Sequence, residues 1–233
     1  MAGTNIDASI DFFGIAAPAS DRLFVDGNER RAEALLTWPL STGLNLGWQY
    51  TPFQKAQVQY QVRYDPFVRD RTTDPAFVVP SSTMTQGIGG AWEYKRGGYS
   101  VGANVTYFAR AHWKPWGPAD QLESDVPRTY LKYAIHATRD VFIDAFQKVH
   151  LNVAYFGGDR LDRFSRYQFG LFDDTRIHGV PASGVRFDEL GMVRGSYSFN
   201  IFEQYRLDLF AEQAWGQDRT VDRAWQPLTG LGL

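Results

Sequence analysis

Hydrophobic and polar side chains alternate one by one along residues 56–64. The hydrophobic positions are Ala56, Val58, Tyr60, Val62 and Tyr64, and the polar positions are Gln57, Gln59, Gln61 and Arg63. Because successive side chains of an extended chain point to opposite faces, this alternation predicts a β-strand, whereas a helix would spread the same residues around its circumference. The same parity continues back to Leu44. Residues 43–65 are therefore predicted to form one very long strand with an irregularity near Pro52, or two strands joined there by a tight hairpin.

The alternation recurs along the chain and predicts about ten strands in all. It is found at residues 6–12, 32–40, 88–94, 99–107, 131–135, 149–155 and 205–211. Between these segments we predict long loops at 14–29, 66–82, 110–127, 157–187 and 216–225, and short turns at 41–42, 96–98, 139–144 and 200–202. Short turns at one end and long loops at the other are typical of antiparallel strands that cross a membrane.

The apolar face of such strands either packs in a soluble core or faces lipid, and alternation alone fits both. The predicted strands of roughly 9–13 residues match a tilted bilayer crossing, whereas soluble strands average about five or six residues. Aromatic rings also cluster near strand ends, where they would lie at the lipid headgroups; they belong to Trp38, Trp48, Tyr50, Tyr64, Trp92, Tyr94, Tyr107, Tyr155 and Trp215. We therefore predict an all-β fold, an antiparallel up-and-down transmembrane β-barrel with residues 1–233 as a single domain. A soluble β-sandwich that acts as a binding module is the alternative.

The composition removes several classes of function. With 24 basic and 26 acidic side chains, the chain has a formal charge of -2 and no basic excess with which to bind nucleic acid. It has no cysteine, which excludes a disulfide scaffold, a thiolate zinc site and a cysteine nucleophile. No apolar run of about 18 residues predicts a transmembrane helix. The first residues, MAGTNIDASID, lack the features of a signal peptide.

The last third of the chain carries a family pattern. Residues 193–200 read VRGSYSFN, residues 205–215 read YRLDLFAEQAW, and residues 226–233 read QPLTGLGL. These segments resemble the end of the barrel in the BamA/TamA-type superfamily of bacterial surface antigens. That pattern has a glycine-bearing strand end, a long loop with an Arg-Gly-aromatic element, and then two alternating aromatic strands. The resemblance implies a location in the bacterial outer membrane.

The loop element departs from the family pattern. Residues 176–180 read RIHGV, so His178 precedes Gly179 where the family has arginine, and Val180 replaces the aromatic residue. In the family, the loop folds inward and its arginine pairs with acidic groups on the following strands. Here Arg176 or Arg186 could supply that cation instead of His178.

Two carboxylates are the natural counterparts of this loop in the barrel lumen. Asp208 and Glu212 both lie on the polar face of their predicted strand. A carboxylate and a cation or N–H group can form a charge-assisted hydrogen bond. We therefore expect the inward-folding loop 157–187 to be held against Asp208 and Glu212.

The resemblance implies a protein that assists the insertion or translocation of other outer-membrane proteins. The implied partners are outer-membrane lipid, unfolded outer-membrane protein clients, and periplasmic or lipoprotein assembly partners. Because the family's periplasmic domains and a terminal aromatic strand are missing from the sequence, we expect the chain to be a fragment of a barrel. A passive outer-membrane pore is the alternative function. No enzymatic activity, cofactor or metal is expected.

Several other residues invite catalytic or metal-binding interpretations. The four histidines, His112, His136, His150 and His178, have no second ligand at metal-binding spacing. Asp162 and its acidic neighbours in the long loop lack the pattern of a calcium loop. Ser100 and His136 are predicted to lie on non-adjacent strands, and no G-x-S-x-G element exists. Trp113 and Trp116 are predicted either to touch lipid or a partner, or to pack within their own loop.

Overall fold

A computed structural model describes residues 5–15, 17–25, 28–123, 126–169, 175–178, 185–201, 205–218 and 222–232. Ten long strands form one sheet: β1 (Asn5–Gly14), β2 (Leu40–Thr51), β3 (Gln54–Asp65), β4 (Thr83–Arg96), β5 (Tyr99–Arg110), β6 (Thr129–Phe142), β7 (Gln147–Asp159), β8 (Glu189–Ile201), β9 (Tyr205–Asp218) and β10 (Asp222–Gly232). Within the described residues, helix is limited to a 3₁₀ turn at Arg31–Glu33, and none is long and apolar enough to span a bilayer.

The strands follow one another across the sheet in chain order, and each neighbouring pair is antiparallel. Val58 in the alternating segment, for example, pairs with Leu46 on β2 and with Gly90 on β4. In the described part of the chain, β1 and β10 each pair on one side only, so the sheet is open. The predicted all-β, up-and-down antiparallel fold is confirmed.

Two strand predictions are corrected. Of the two alternatives for residues 43–65, the hairpin is confirmed and the single long strand is wrong, because a turn at residues 52–53 separates β2 from β3. Pro52 favours the turn because its ring presets φ and its nitrogen cannot donate to a sheet. The predicted turn at 41–42 lies inside β2. Of the predicted strand 32–40, only Leu40 joins the large sheet, while Leu35–Thr37 forms a separate small sheet with Ala19–Asp21 and Phe67–Arg69.

Long and short connections alternate at the two ends of the sheet. The first loop (15–39), second loop (66–82), third loop (111–128) and fourth loop (160–188) lie at one end, called the loop end. The connections at 52–53, 97–98, 143–146 and 202–204 lie at the other, called the turn end. Gly97 and Gly98 both have positive φ, as a tight two-residue hairpin requires. The predicted long loop at 216–225 is wrong, because β9 and β10 leave only 219–221 between them.

The outer face of the sheet exposes its apolar side chains. Tyr60, Val101, Leu151 and Leu207, which lie on four different strands, are 43%, 37%, 46% and 42% exposed. A β-sandwich would bury such a row between two packed sheets. Here the row belongs to a single sheet and faces away from the protein, as expected for strands that contact lipid.

Aromatic side chains border the outer face at both ends. At the turn end, the Trp92 Nε1–H donates to the Tyr50 hydroxyl at 2.8 Å, and the Trp48 ring lies 5.4 Å from that of Tyr50. At the loop end lie the rings of Tyr64, Tyr107, Tyr155 and Trp215. Trp38 lies between Thr37 and β2, outside the large sheet. The strands therefore carry two bands of aromatic residues separated by aliphatic ones.

Candidate functional site

The fourth loop folds over the inner face of the sheet, opposite the exposed apolar row. Three of its side chains, Phe169, Ile177 and Phe187, are buried there. They pack with inner-face residues of β6 to β9, which are Ala134, Ala154, Phe156, Leu190, Met192 and Ala214. A hydrated lumen would favour polar residues at these positions. They are apolar because the loop covers them and removes their surface from water.

His178 in the fourth loop lies against Glu212 on β9. Its main-chain N–H donates to Glu212 Oε2 at 2.7 Å, and its Nδ1 lies 3.0 Å from the same oxygen. The imidazole ring also lies 4.2 Å from the ring of Phe210, centroid to centroid. Glu212 is buried. A buried carboxylate is stable only when hydrogen-bond donors surround it. The fourth loop supplies one such donor to Glu212, the main-chain N–H of His178.

The cation that faces Glu212 is Arg194, on the neighbouring strand β8. Arg194 Nε lies 3.0 Å from Glu212 Oε1, and the two residues are direct partners across β8 and β9. Arg194 Nη2 also donates to the main-chain carbonyl of Arg176 in the fourth loop. Strand β8 therefore provides the cation that was predicted to come from the fourth loop. Arg176 instead accepts a hydrogen bond from Arg194 through its carbonyl oxygen.

Strand β10 reaches the same point through Gly230. A β-carbon at residue 230 would lie 2.5 Å from the main-chain oxygen of His178 and 3.1 Å from Glu212 Oε2. The contact leaves room only for hydrogen, so glycine is required. His178, Arg194, Glu212 and Gly230, which we call the loop anchor, join the fourth loop to three adjacent strands.

Arg186 reaches a different carboxylate, Asp21 in the first loop. Arg186 Nη2 lies 2.6 Å from Asp21 Oδ2, and Arg163 Nη2 lies 3.0 Å from Asp21 Oδ1. Burial by itself would raise the pKa of Asp21, but the charges and hydrogen bonds of Arg186 and Arg163 outweigh it and hold the pKa below 3.8. Burial also lowers the pKa of Arg163. This Asp21 triad ties the first loop to the fourth, and it corrects the expectation that Arg186 serves Asp208 or Glu212.

Asp162 lies in a second buried network at the loop end. Arg110 holds it with two hydrogen bonds, from Nη1 to Oδ2 at 2.6 Å and from Nη2 to Oδ1 at 3.0 Å. Trp113 Nε1–H donates to the same Oδ2 at 2.8 Å, and the Ser165 hydroxyl donates to Oδ1 at 2.7 Å. Both carboxylate oxygens of Asp162 accept hydrogen bonds from protein donors, so Asp162 is a structural counterion of Arg110.

The tryptophans of the third loop belong to a small core between loops. Trp113 and Trp116 are buried beside Phe164 of the fourth loop, whose ring lies 5.7 Å and 4.9 Å from theirs. Their packing with Leu35, Phe67 and Phe77 completes the cluster. The predicted packing within their own loop is therefore corrected to packing between loops, because the neighbouring side chains belong to the first, second and fourth loops.

A cavity of about 650 Å³ opens between the first, third and fourth loops. Its charged lining contains both signs, Arg160, Arg163 and Arg166 with Glu33, Glu123, Asp162 and Asp218. Arg166 lies 3.1 Å from Asp188 and 3.2 Å from Asp218, so part of this charge is already paired. The cavity is polar but nearly balanced in charge.

Asp208 lies apart from the loop anchor. Its Oδ1 lies 2.9 Å from Arg206 Nε, and the side chain is 44% exposed near the turn end of β9. Asp208 and Glu212 share one face of β9, but their separation of four positions amounts to about 13 Å along a strand. The fourth loop therefore reaches Glu212 and not Asp208. Gly179 lies outside the described residues.

The remaining candidate sites resolve into ordinary contacts. Ser100 and His136 lie on adjacent strands β5 and β6, which corrects the predicted separation. The Ser100 hydroxyl donates to Glu93 Oε1 at 3.3 Å, so its hydrogen bond goes to a carboxylate. His150 Nδ1 lies 2.6 Å from Asp140 Oδ1. In the described part of the chain, no three His, Asp or Glu side chains converge on a possible metal site.

Several residues of these networks are not predicted from the sequence, among them Arg194, Asp21 and Arg163. Arg194 was detectable in principle, because it lies on the polar face of its strand, across from Glu212. Asp21 and Arg163 carry no such signal, since they lie in irregular loops far apart in the chain and meet only after folding.

The sequence matches no protein-family model and no curated protein sequence. The structure is similar to a solved structure of CdiB from Acinetobacter baumannii, with a TM-score of 0.53 and 12% sequence identity. The match covers 97% of this chain and 40% of the CdiB chain. At this identity the likeness shows the fold alone, an antiparallel up-and-down arrangement of long strands.

Proposed function

We propose that this chain forms part of a bacterial outer-membrane β-barrel that assists the insertion or translocation of other outer-membrane proteins. The observation that carries the proposal is the loop anchor. In it, His178 of the fourth loop is held by Glu212 and lies against Gly230 of the edge strand β10. Its position agrees with what the BamA/TamA resemblance implies for an inward-folding loop.

The exposed apolar row and the two aromatic bands support a membrane location. In lipid, each unpaired N–H or C=O group costs several kcal/mol, so the free edges of β1 and β10 require further strands. We propose that additional strands close the barrel and that outer-membrane lipid surrounds it.

The proposed activity involves no covalent chemistry. A free or weakly paired strand edge presents a row of N–H and C=O groups that can pair with a strand of an incoming client. Because β10 contacts the fourth loop at Gly230, movement of that strand is coupled to the loop anchor. Unfolded outer-membrane proteins are the proposed clients, with periplasmic or lipoprotein assembly factors as further partners.

The test measures how fast an unfolded outer-membrane protein inserts into lipid vesicles that contain this chain. We expect faster insertion than in empty vesicles, and slower insertion with Glu212→Gln, which weakens the anchor. Asp120→Asn in the exposed part of the third loop is the control and leaves the rate unchanged. Equal rates with and without the protein would overturn the proposal. Ion conductance without faster insertion would favour the passive pore.

A further inference from the structure

The charged residues on the outer face are few and separated by sign. The strand registers place four of them there within β1 to β9: Arg96 and Arg139 at the turn end, and Asp159 and Glu189 at the loop end. The other charged side chains of these nine strands have inner-face parity. The outer face is therefore cationic beside the short turns and anionic beside the long loops.

The two arginines flank a single tyrosine. Tyr99 on β5 pairs directly with Arg96 on β4 and with Arg139 on β6, so the three residues form one row across three strands. The guanidinium carbon of Arg139 lies 3.4 Å from the Tyr99 ring centroid, and its Nη1 donates to the carbonyl of Gly97 at 3.3 Å. The Arg96 guanidinium carbon lies 4.9 Å from the centroid of the Phe53 ring.

These aromatic contacts leave most guanidinium N–H groups open. Within the described residues, no carboxylate lies within 4.0 Å of a nitrogen of Arg96 or Arg139. An arginine has five N–H donors and no acceptor, so donors remain for an external anion. The rings hold the charged groups at the depth of the turn-end aromatic band, which corresponds to the lipid headgroups of a spanned bilayer.

The free-energy cost of an arginine on the outer face depends on its depth in the bilayer. An arginine on the lipid-facing surface of a barrel is unfavourable by about 2–4 kcal/mol at the bilayer midplane, but by only about 0–1 kcal/mol near the interface. At the interface, its planar fork matches the oxygens of a phosphate group. Anionic headgroups therefore complement this row of residues in both charge and geometry.

We propose that Arg96, Tyr99 and Arg139 form a binding site for the phosphate of an anionic phospholipid in the leaflet next to the turn end. The proposal rests on the membrane location given under the proposed function. Asp159 and Glu189 repel the same headgroup at the loop end, so the outer face distinguishes the two leaflets. The site also fixes the orientation of the barrel relative to an asymmetric membrane.

The test uses the full chain in lipid nanodiscs of phosphatidylcholine mixed with phosphatidylglycerol of the same acyl chains. Native mass spectrometry counts the lipids that remain bound after release from the disc. We expect enrichment of phosphatidylglycerol, which falls about fivefold for each of Arg96→Gln and Arg139→Gln, since each cation at an anionic lipid surface contributes roughly that factor. The Arg96→Gln and Arg139→Gln changes are also combined in one double variant. Its control is the double variant Lys95→Gln and Lys148→Gln, which removes the same charge from the inner face of the turn end.

Each outcome decides the proposal. Equal enrichment in the arginine and lysine double variants, with the protein embedded, would overturn the lipid site and leave the proposed function standing. Displacement of the bound lipid by inorganic phosphate at matched ionic strength would overturn a phospholipid as the ligand. Recovery of the protein in the aqueous fraction, free of lipid, would overturn both the lipid site and the membrane location. Loss of enrichment in the arginine variants alone supports the site.

Discussion

The main-chain oxygen of His178 approaches Gly230 so closely that a β-carbon at residue 230 would lie 2.5 Å away. This contact joins the fourth loop to the edge strand β10 through backbone atoms, which cannot move aside as a flexible side chain can. The absence of a side chain at residue 230 is therefore part of how the loop is positioned.

Gly230→Ala is expected to push the fourth loop away from β10. Overpacking of this kind typically costs about 1–3 kcal/mol. We expect a lower free energy of unfolding, measured by denaturant titration in detergent, and faster protease cleavage within residues 160–188. Gly191→Ala is the matched control, because a β-carbon there meets nothing within 4 Å. Similar behaviour of the two variants would show that the His178 contact does not constrain the loop.

Glu212→Gln should release the loop anchor, whereas Asp208→Asn should not. The Glu212 side chain is 3% exposed and holds both Arg194 and the N–H of His178, while the Asp208 side chain is 44% exposed. Weakening a buried charged hydrogen bond costs about 1–3 kcal/mol, and an exposed ion pair contributes less than about 1 kcal/mol. Protease cleavage of residues 160–188 measures the difference. A greater effect from Asp208→Asn would contradict this assignment.

Asp21→Asn is expected to separate the first loop from the fourth. The substitution leaves Arg163 and Arg186 without the carboxylate between them, and breaking a buried ion pair from one side costs about 3–5 kcal/mol. Hydrogen exchange of residues 17–25 and 185–188 should rise together. Arg31→Gln is the control, because that arginine is exposed and pairs with Glu29 instead. Unchanged exchange in Asp21→Asn would rule out a linking role for the triad.

The Asp21 triad also predicts a pH dependence. The arginines hold the pKa of Asp21 below 3.8, so the folded protein binds its proton less tightly than the unfolded chain does. The stabilisation of the folded protein by the ionised Asp21 is therefore present above pH 3.8 and is lost as the pH falls through the lowered pKa. The difference in unfolding free energy between the native chain and Asp21→Asn should narrow over that range. A difference that stays constant with acidification would contradict the pKa shift.

The two buried tryptophans of the third loop should respond differently to the same substitution. Trp113→Phe removes a hydrogen bond to the Asp162 carboxylate, worth about 1.5–3 kcal/mol for a charged partner. Trp116→Phe removes an Nε1–H that has no hydrogen-bond partner among the described residues. Both lose a similar amount of ring surface, so the difference in their unfolding free energies reports the hydrogen bond together with the contact between Arg110 and the Trp113 ring. Equal destabilisation would mean that the bond to Asp162 contributes nothing.

A charge on the outer face should be tolerated according to its depth. Val153 lies in the middle of β7, and Tyr205 lies at the turn end of β9. From the proposed membrane location we expect Val153→Arg to be unfavourable by about 2–4 kcal/mol and Tyr205→Arg by only about 0–1 kcal/mol. The fraction folded in vesicles over a urea series measures both variants. Because both native side chains are well exposed, a protein in contact with water on this face would tolerate the two changes equally.

The large sheet was predictable because its signal is local. Alternation along residues 56–64 depends only on the two-residue repeat of an extended chain, and the same repeat separates the outer row from the inner one. The short turn at Gly97 and Gly98 was equally visible, since few other residues adopt positive φ. The sequence left two alternatives open where local signals conflict, as at Pro52, which fits a hairpin as well as an irregular strand, and the structure has the hairpin.

The sequence by itself determined most of the strands and the apolar row along one face of them, and it singled out Glu212 and His178 as candidate contact residues. Only the tertiary structure decided which charges meet. Arg194, and not a loop arginine, pairs with Glu212 because the two residues lie directly opposite each other on neighbouring strands. Arg186 pairs with Asp21, which is 165 residues away in the chain. Side-chain direction along a strand repeats every two residues and can be read locally, whereas a contact between loops depends on how the whole chain brings them together.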